Sequence, residues 1–132
     1  MKDATLIGSS GEFSFIAQAI RRDFIVSTPS LNHYKYDIIL DTNHGRFLRV
    51  QVKTTGSDAK DGVFKLNLNK RAGTKNTYNK DNSDFLVYYI ETLNIFYMIP
   101  IKVIRDRSKL SFYPFRSTCK FHVFKNAWWL LF

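Results

Sequence analysis

Residues 36–54 read YDIILDTNHGRFLRVQVKT, two runs in which apolar and polar residues alternate on either side of the polar stretch TNHGR. This pattern predicts a β-hairpin with TNHGR as its loop. One register brings the apolar residues of both strands onto a single face, and it pairs Leu40 with Leu48, Ile38 with Val50 and Tyr36 with Val52. A shift by one residue would turn every side chain to the other face, so these pairs specify the register.

The other face of the predicted hairpin carries polar side chains. The same register sets Asp37 opposite Gln51, and Lys53 projects beside them because side chains in a strand repeat at every second position. A carboxylate, an amide oxygen and an ammonium group are therefore predicted to share one patch. Exposed acids and lysines on strands usually form a surface ion pair worth under ~1 kcal/mol, so the patch by itself is a moderate indication of function.

The composition is that of a globular chain kept in a reducing compartment. The 132 residues are 45% hydrophobic and include 12 Phe, so we expect one domain over residues 1–132 with a core of its own. The one cysteine excludes an internal disulfide, and the three histidines offer no zinc-ligand spacing. We found no long apolar run, so we expect an intracellular, cytoplasmic protein with no membrane partner.

The charge of the chain favours a polyanionic partner. Lys and Arg number 20 against 11 Asp and Glu, which gives a formal net charge of +9. An imbalance of this sign is typical of proteins that bind nucleic acid, although it also serves simple solubility. Residues 60–80 hold six of these cations and the single acid Asp61, so the positive excess is concentrated there.

Residues 9–24 are predicted to form the first helix. Its apolar stripe has the helical period and comprises Phe13, Ile16, Ala17, Ile20 and Phe24. Ser9 followed three residues later by Glu12 matches a capping box at the helix start. Glu12 also lies at the edge of the stripe, where its carboxylate could point toward the sheet, and both roles are compatible with one position.

The remaining segments predict an α/β fold in which a mixed central sheet is flanked by two helices. Further strands are expected at residues 24–26 on an edge, and at residues 63–69, 84–90 and 95–101. Residues 104–117 show no regular pattern. A second helix is expected over residues 121–132, with an apolar stripe formed by Phe121, Phe124, Trp128 and Leu131.

The basic part of the chain is the expected DNA contact. The strand at residues 63–69 alternates apolar residues with polar ones, so one of its faces is solvated. A charge run is more often only a solvated loop, but here it adjoins that polar face. The predicted DNA-binding residues are Lys65, Asn67, Asn69, Lys70, Arg71, Lys75 and Tyr78.

The polar patch on the hairpin has the chemistry of a metal site. A carboxylate beside an amide oxygen suits a hard divalent cation such as Mg²⁺, which needs only one or two carboxylates from the protein. The carbonyl of Val52 and the carboxylate of Glu12 could supply further ligands. Lys53 is placed to orient or deprotonate a water, or to stabilise the charge that grows on a phosphate under attack. These groups predict phosphodiester hydrolysis.

At these residues the sequence resembles the PD-(D/E)XK nuclease superfamily. The motif in order is a Glu on the first helix, Tyr-Asp at the head of a strand, and Gln-Val-Lys in its partner. It is specifically similar to the group with Gln at the second acidic position, which includes intron-associated homing endonucleases of the cyanobacterial type. The resemblance is strongest over residues 8–55, and looser patterns continue in DFLVYYI and AWWLL.

The resemblance implies a restriction-endonuclease-like core and a set of site residues. Glu12, Asp37 and Gln51 would surround Mg²⁺, for which Mn²⁺ may substitute, and Lys53 would be catalytic. Two positions depart from the family pattern, because Tyr36 stands where the superfamily has Pro and Gln51 where it usually has an acid. The second departure removes one negative charge from the cage, so the sequence also allows weaker metal binding.

The resemblance favours a metal-dependent, site-specific DNA endonuclease of the homing type, encoded by a mobile element or a phage. A Holliday junction resolvase of the same superfamily is an alternative, and so is a non-catalytic DNA-binding module that retains the fold. The expected partner is double-stranded or branched DNA. Cutting both strands needs two active sites, so we expect a homodimer, or a homotetramer by resemblance.

Overall fold

The computed structural model of the chain describes residues 3–31, 35–59, 61–68 and 82–132. Two α-helices, seven strands and three 3₁₀ turns occur in these ranges. In chain order the elements are α1 (Ala4–Arg21), β1 (Ile25–Ser27), β2 (Ile38–Asp41), β3 (Phe47–Thr55), β4 (Phe64–Asn67), β5 (Phe85–Ile90), a 3₁₀ turn (Glu91–Leu93), β6 (Ile95–Pro100), α2 (Ile101–Ile104), β7 (Lys109–Phe112) and two further 3₁₀ turns (His122–Phe124 and Trp128–Leu131).

The architecture is a mixed five-stranded sheet with a smaller sheet beside it. The large sheet has the order β1-β2-β3-β5-β6, in which β3 and β5 are parallel and the other neighbours are antiparallel. Strands β4 and β7 form a separate antiparallel pair. This mixed central sheet confirms the predicted α/β fold. None of the helices in the described ranges is long and apolar enough to cross a membrane.

The β2–β3 hairpin has the predicted register. Strands β2 and β3 pair Ile38 with Val50 and Leu40 with Leu48, and the loop closes with a 3.0 Å hydrogen bond from the Thr42 N–H to the Arg46 carbonyl. Strand β2 begins at Ile38, so the predicted pairing of Tyr36 with Val52 lies beyond the strand.

The large sheet has a core on each side, and β5 contributes to both. The alternate residues Leu48, Val50 and Val52 of β3 are buried on the side of α1, where the core also contains Phe15. The neighbouring strand β5 is buried on both faces, and its other side packs on the small sheet in a second core. Arg49, Gln51 and Lys53 are the half-buried residues between these aliphatic ones, so they share the face of β3 that is turned away from α1.

Helix α1 begins earlier than the sequence predicted. Asp3 is its N-cap, and the Asp3 carboxylate accepts a 2.7 Å hydrogen bond from the backbone N–H of Thr5. The predicted capping box of Ser9 and Glu12 is therefore wrong, because both residues lie inside the helix. Glu12 is consequently free of a capping role and half-buried.

The buried side of α1 is also different from the predicted one. Gly11, Phe15 and Ala19 face the sheet, whereas Phe13 is 70% exposed and Ile20 is 56% exposed. The predicted stripe was wrong at Phe13, Ala17 and Ile20, whereas Ile16 and Phe24 do pack on the core. Helix α1 carries apolar residues on two opposite sides, and periodicity alone does not select between them.

Gly11 is the point of closest approach between α1 and the sheet. A Cβ atom built on this glycine would overlap the side chain of Thr54 near the end of β3. The absence of a side chain at Gly11 therefore allows the helix to lie directly on the strand.

The chain after β6 departs most from the prediction. Residues 104–117 contain β7, which the sequence pattern did not reveal. The predicted helix over residues 121–132 is replaced by two 3₁₀ turns, because Asn126 between them has a φ of 48° in the left-handed region and interrupts any helix. The side chain of Asn126 instead accepts a 2.9 Å hydrogen bond from the backbone N–H of Phe96 in β6.

The other predicted strands are confirmed. Strand β1 is on an edge of the large sheet, and β4, β5 and β6 occupy the expected segments, with β6 ending at Pro100. Along β4, Lys65 and Asn67 are exposed while Phe64 and the following Leu68 are buried, which matches the predicted alternation.

Candidate active site

Asp37 is held beside β3 by two hydrogen bonds to the backbone of that strand. It lies directly before β2, and its N–H donates to the carbonyl of Val50 at 2.9 Å. Its carboxylate accepts a hydrogen bond from the N–H of Val52 at 2.8 Å. The N–H and C=O of one strand residue point to the same side, so the carbonyl of Val52 lies on the edge of β3 that faces Asp37.

Glu12 brings a second carboxyl group to Asp37. Helix α1 crosses β3 at Gly11, and the next residue along the helix is Glu12. The charge of Asp37 acts on the carboxyl group of Glu12, so the two acidic side chains lie close to each other. The structure therefore brings these two predicted site residues together.

The electrostatics of this pair are unfavourable for two ionised carboxylates. Burial and the neighbouring negative charge of Asp37 raise the pKa of Glu12 above its ordinary value. Burial also raises the pKa of Asp37, although the Val52 N–H and the charge of Lys53 act in the opposite direction. A cation placed between the two carboxyl groups would relieve the repulsion that causes part of the shift at Glu12.

Lys53 and Gln51 complete the predicted constellation from β3. The charge of Lys53 lowers the pKa of both Glu12 and Asp37, so its ammonium group is close to the acidic pair. Gln51 is two residues before Lys53 on the same face of β3. The amide of Gln51 is placed by the strand register, whereas the carboxyl groups of Glu12 and Asp37 are in contact.

The donor set fits a hard divalent cation. Two carboxyl groups, one side-chain amide and one backbone carbonyl offer oxygen ligands only, as Mg²⁺ and Mn²⁺ accept. Across the ranges that the structure describes, no group of three or more His, Cys, Asp or Glu side chains is arranged to hold a metal ion. A set with two carboxyl groups suits an ion that keeps several waters and needs only one or two carboxylates from the protein.

Two of the predicted DNA contacts are described by the structure. Lys65 and Asn67 are exposed on β4, opposite Ser111 and Lys109 of β7. They lie on the small sheet that packs against the β5 face shared with Lys53. The other predicted contacts, Asn69, Lys70, Arg71, Lys75 and Tyr78, lie outside the described residues.

Tyr88 is a neighbour of the site that sequence reasoning missed. It is the partner of Lys53 in the parallel pairing of β3 and β5, and its hydroxyl donates to the carbonyl of Lys65 at 3.5 Å. Burial raises the pKa of Tyr88 to about 12, so the hydroxyl stays protonated and remains a donor. Tyr88 therefore connects the strand beside Lys53 with β4, and the sequence signals only that it is buried.

A cationic cleft lies further along the same strand. Its volume is about 680 Å³, and its lining includes Arg46, Arg49 and Lys102 together with Asp84. Arg49 and Asp84 form an ion pair with a 3.2 Å separation, so Arg46 and Lys102 supply the excess positive charge of the lining. This cleft begins two residues from Gln51, but the two acidic groups of the candidate site are not part of its lining.

The fold agrees with the family that the chain matches. The model of the PD-(D/E)XK endonuclease family matches residues 2–116, and the chain belongs to that family. The fold is similar to that of a bacterial homing endonuclease, I-Ssp6803I, with a TM-score of 0.84 and 24% sequence identity over 98% of this chain and 93% of that one. The predicted fold class and family resemblance are thereby confirmed.

A more distant likeness connects the fold to DNA-junction enzymes. Hjc, a Holliday junction resolvase from the archaeal hyperthermophile Archaeoglobus fulgidus, superposes with a TM-score of 0.50 and 11% identity over 81% of this chain and 87% of that one. No curated protein sequence matches the chain significantly.

Proposed function

We propose that this chain is a metal-dependent DNA endonuclease, formed by one domain over residues 1–132, whose catalytic residues are Glu12, Asp37, Gln51 and Lys53. The observation that carries the proposal is the proximity of the Glu12 and Asp37 carboxyl groups to each other and to the charge of Lys53. Two acidic groups with raised pKa values, close to one lysine, are what an ion-assisted hydrolytic site needs before its ion arrives.

Asp37, Glu12, Gln51 and the carbonyl of Val52 would hold Mg²⁺, with Mn²⁺ as a substitute. When bound, the ion supplies positive charge to the scissile phosphate and lowers the pKa of a coordinated water. Asp37 is the best-fixed ligand because its backbone and its carboxylate are both hydrogen-bonded to β3. Gln51 is neutral, so Glu12 supplies the second negative charge that neutralises the ion.

Lys53 would act on the water and on the phosphate. Its ammonium group projects from β3 two residues beyond Gln51, on the same face. From there it can orient the attacking water and stabilise the negative charge that develops on the phosphate oxygens. Loss of the ammonium group should therefore reduce the chemical step much more than DNA binding.

The exposed face of β4 would contact the DNA beside the site. Lys65 and Asn67 are on this face, and the basic segment that follows carries Asn69, Lys70, Arg71, Lys75 and Tyr78. The major groove admits a two-stranded β-ribbon, which β4 and β7 form. The hydrogen bond of Tyr88 to Lys65 would set the distance between this ribbon and the cleavage site.

Among the candidate enzyme types we prefer a homing endonuclease, whose substrate would be a defined linear DNA site. The likeness to the bacterial homing endonuclease covers nearly the whole chain. For an enzyme of the homing type we expect cleavage at a defined linear site. We infer an intracellular protein that acts as a homodimer or homotetramer, because two strands need two sites, and a gene carried by a mobile element or phage. Magnesium dependence and assembly are parts of this proposal.

A Holliday junction resolvase is the second candidate. The superposition with the archaeal resolvase over most of both chains favours it, since a resolvase would need the same metal site. The two candidates differ in substrate, because a resolvase recognises the branch and a homing enzyme recognises a linear sequence.

The deciding experiment compares substrates and one lysine. Purified protein is incubated with linear, supercoiled and four-way-junction DNA, with Mg²⁺ or with EDTA, alongside Lys53→Ala and the control Lys120→Ala, which alters an exposed lysine elsewhere. We expect cleavage by the wild type and the control only with Mg²⁺. We expect Lys53→Ala to bind DNA with affinity close to wild type and to cut at least about 10²-fold more slowly.

The outcomes separate the candidates. Cutting confined to linear or supercoiled DNA supports the homing class, and cutting confined to the junction supports the resolvase. DNA binding without any cleavage by the wild type would refute both and leave a non-catalytic binding module. Full activity of Lys53→Ala would refute the assigned role of this lysine.

A further inference from the structure

The cationic cleft at the start of β3 combines a charged surface with an apolar one. Its volume of about 680 Å³ is in the range of pockets that hold small organic ligands. The cations Arg46, Arg49 and Lys102 line it, against the single described acid Asp84. Most of the remaining lining is apolar, and Phe47 is an aromatic member of it. The lining therefore suits a ligand that joins an anionic group to an apolar or aromatic body.

Two cations of this cleft can still donate hydrogen bonds. The side chain of Arg46 donates to the carbonyl groups of Phe132 at 2.7 Å and Leu130 at 3.5 Å, and both bonds start at Nη1. These bonds hold the guanidinium group at the cleft, while its other nitrogens have no partner in the ranges that the structure describes. Lys102 is exposed and forms no ion pair within those ranges. A guanidinium and an ammonium group with donors to spare suit a phosphate.

Ser83 provides an observation that is independent of charge. It belongs to the wall of the cleft, and its exposed fraction is 0%. Its hydroxyl group has no hydrogen-bond partner among the described residues. Burying a hydroxyl group without a partner is destabilising, and such groups are few in native proteins. A phosphate in the cleft can accept this hydrogen once the exposed side chain of Lys102 at the rim moves aside.

Phe47 gives the cleft an aromatic surface that is open to solvent. It is the first residue of β3, next to Arg46, and its side chain is 65% exposed. Aromatic rings beside cations are the surfaces on which the bases of unpaired nucleic acid strands stack. An acidic peptide would bind the cations but would gain little from the ring. The combination favours a nucleotide, because its phosphate suits the cations and its base suits Phe47.

The cleft is in line with the candidate active site. Side chains of a strand alternate, so Phe47, Gln51 and Lys53 project from the same face of β3. The distance along the strand from Phe47 to Lys53 is about 20 Å. About six nucleotide steps of B-form DNA cover a similar length. One DNA strand that lies along β3 can therefore reach the cleft and the candidate active site together.

We propose that the cationic cleft binds one unpaired nucleotide of the DNA strand held at the candidate active site. Arg46 and Lys102 bind the phosphate of this nucleotide, and Ser83 donates a hydrogen bond to it. Phe47 stacks on the base. The inference rests on the proposed function, because it takes the strand in the cleft to be the substrate. The cleft would anchor an opened or branched strand about six steps from the phosphate under attack.

The first test measures DNA binding in EDTA, where no metal-dependent cleavage occurs. Fluorescence anisotropy compares a labelled single strand of roughly 12 nucleotides, long enough to pass both sites, with the duplex of the same sequence. The proteins are the wild type, Phe47→Ala and the control Phe115→Ala, which removes a 73% exposed aromatic ring elsewhere. We expect Phe47→Ala to bind the single strand at least about fivefold more weakly, since a stacked base is lost.

The duplex is the internal control of this test, because its bases are paired and cannot stack on Phe47. We expect the duplex to bind Phe47→Ala and wild type alike, and we expect Phe115→Ala to bind both DNAs as the wild type does. Equal losses for single strand and duplex, or no loss for the single strand, would overturn the proposal.

The second test examines the phosphate contact. Binding of the single strand is measured over a range of salt concentrations for the wild type, Lys102→Ala and the control Lys120→Ala. Loss of one phosphate contact to a single strand should make the log-log salt slope shallower by about 0.7, and the control should keep the wild-type slope. An unchanged slope in Lys102→Ala would remove the phosphate from the cleft.

Competition distinguishes a strand nucleotide from a free one. Unlabelled single strand and thymidine 5′-monophosphate are each used to displace the labelled strand from the wild type. A strand also contacts the face of β3 that carries Lys53, so we expect the monophosphate to need at least about 100-fold higher concentration. Equal potency of the two competitors would indicate a site for free nucleotides and overturn the assignment.

Ser83→Ala separates a binding role from a structural one. The variant removes a hydroxyl group that has no partner, so without DNA its melting temperature should equal or exceed that of the wild type. Its affinity for the single strand should fall by about threefold or more, because a hydrogen bond to a charged group is lost. A lower melting temperature with unchanged affinity would show that the hydroxyl group serves folding, and would overturn its role.

These binding results are independent of cleavage. A chain that binds single-stranded DNA through Phe47 and Lys102 but cuts no DNA with Mg²⁺ would keep the nucleotide site and refute the proposed function. A chain that cuts DNA, but whose single-strand affinity is the same with and without the Phe47 ring, would keep the proposed function and refute this inference.

Discussion

Two aspartates hold equivalent positions on either side of strand β3. Asp37 directly precedes β2 and Asp84 directly precedes β5, and β2 and β5 are the two neighbours of β3. Each aspartate donates its N–H to a carbonyl of β3, at 2.9 Å and 2.8 Å. Each also accepts a β3 N–H with its carboxylate at 2.8 Å. Each aspartate is thus fixed to β3 by one donated and one accepted backbone hydrogen bond, although Asp84 bonds a single residue, Arg49, and Asp37 bonds Val50 and Val52.

The two aspartates differ in what meets the carboxylate. Asp84 faces the guanidinium group of Arg49, so its charge is balanced within the chain. Asp37 faces the carboxyl group of Glu12, and both of these groups have raised pKa values. The comparison shows that the backbone hydrogen bonds do not distinguish the candidate site. What distinguishes it is that the acidic charge near Asp37 is not fully balanced within the chain, and perturbed pKa values of this kind are common at functional sites.

The largest expected effect is on cleavage. Asp37→Asn should slow the nicking of supercoiled plasmid in Mg²⁺ by about 10³-fold or more, because it removes the best-fixed metal ligand. The matched change Asp84→Asn should slow it by less than about tenfold, since Asp84 binds Arg49 rather than metal. Equal losses in the two variants would erase the distinction between the two aspartates.

A second expected effect is on stabilisation by metal. Mg²⁺ at about 100 times its dissociation constant should stabilise the wild type by about 2.7 kcal/mol. Asp84→Asn should keep this response and Asp37→Asn should lose most of it. Thermal unfolding with and without Mg²⁺ measures both, and it requires no DNA. A full metal response in Asp37→Asn would place the ion elsewhere.

The balanced aspartate should matter for stability. Arg49→Met keeps much of the side-chain length but removes the ion pair, which we expect to cost about 1–2 kcal/mol of unfolding free energy because the pair is about one-third exposed. Urea unfolding monitored by Trp fluorescence checks this value. A change below about 0.3 kcal/mol would mean that the pair adds nothing beyond its backbone bonds.

The smallest expected effect is a gain in stability at the unbalanced aspartate. Glu12→Gln removes one of two neighbouring acidic groups, so the metal-free variant should be more stable than wild type near neutral pH, by less than about 1 kcal/mol since Glu12 is partly solvated. The raised pKa of Glu12 means that the folded chain holds this proton more tightly than the unfolded chain.

The pH dependence of that gain follows from the sign of the pKa shift. Between the ordinary pKa of Glu12 and its raised value in the folded chain, the unfolded state binds fewer protons, so wild-type stability falls as pH rises. The advantage of Glu12→Gln should therefore be absent below about pH 4 and grow toward neutral pH. Melting temperatures of both proteins across this range in EDTA test it, and an advantage that is largest in acid would contradict the assignment.

The arrangement of side chains around Asp37 could be predicted in part from the sequence. The apolar pairs of β2 and β3 fix the register, and the register alone puts Asp37, Gln51 and Lys53 on one face. Glu12 was placed toward the sheet from its position at the edge of the predicted apolar stripe, and the family resemblance added its role at the metal site. Both sides of α1 are apolar, and only the tertiary packing of Phe15 selects the one that meets the sheet.

The ion pair of Arg49 with Asp84 could not be predicted from the sequence. The bond between Arg49 and Asp84 joins residues 35 positions apart and exists only because β3 and β5 are parallel neighbours. Neither residue carries a local signal of that pairing. The C-terminal segment failed for a different reason, since its apolar spacing fits a helix while the backbone at Asn126 is left-handed. Local periodicity does not report such a reversal.

Helix α1 rests on β3 at the position where Gly11 meets Thr54. Because Gly11 has no Cβ atom, α1 can lie close to β3, and Glu12 reaches Asp37 only at this short separation. A relative could retain every acidic, amide and lysine position of the motif yet carry alanine or a larger residue in place of this glycine. Its motif residues would all be present but too far apart to act together. The residue at position 11 should therefore be considered when active members of the family are distinguished from inactive ones.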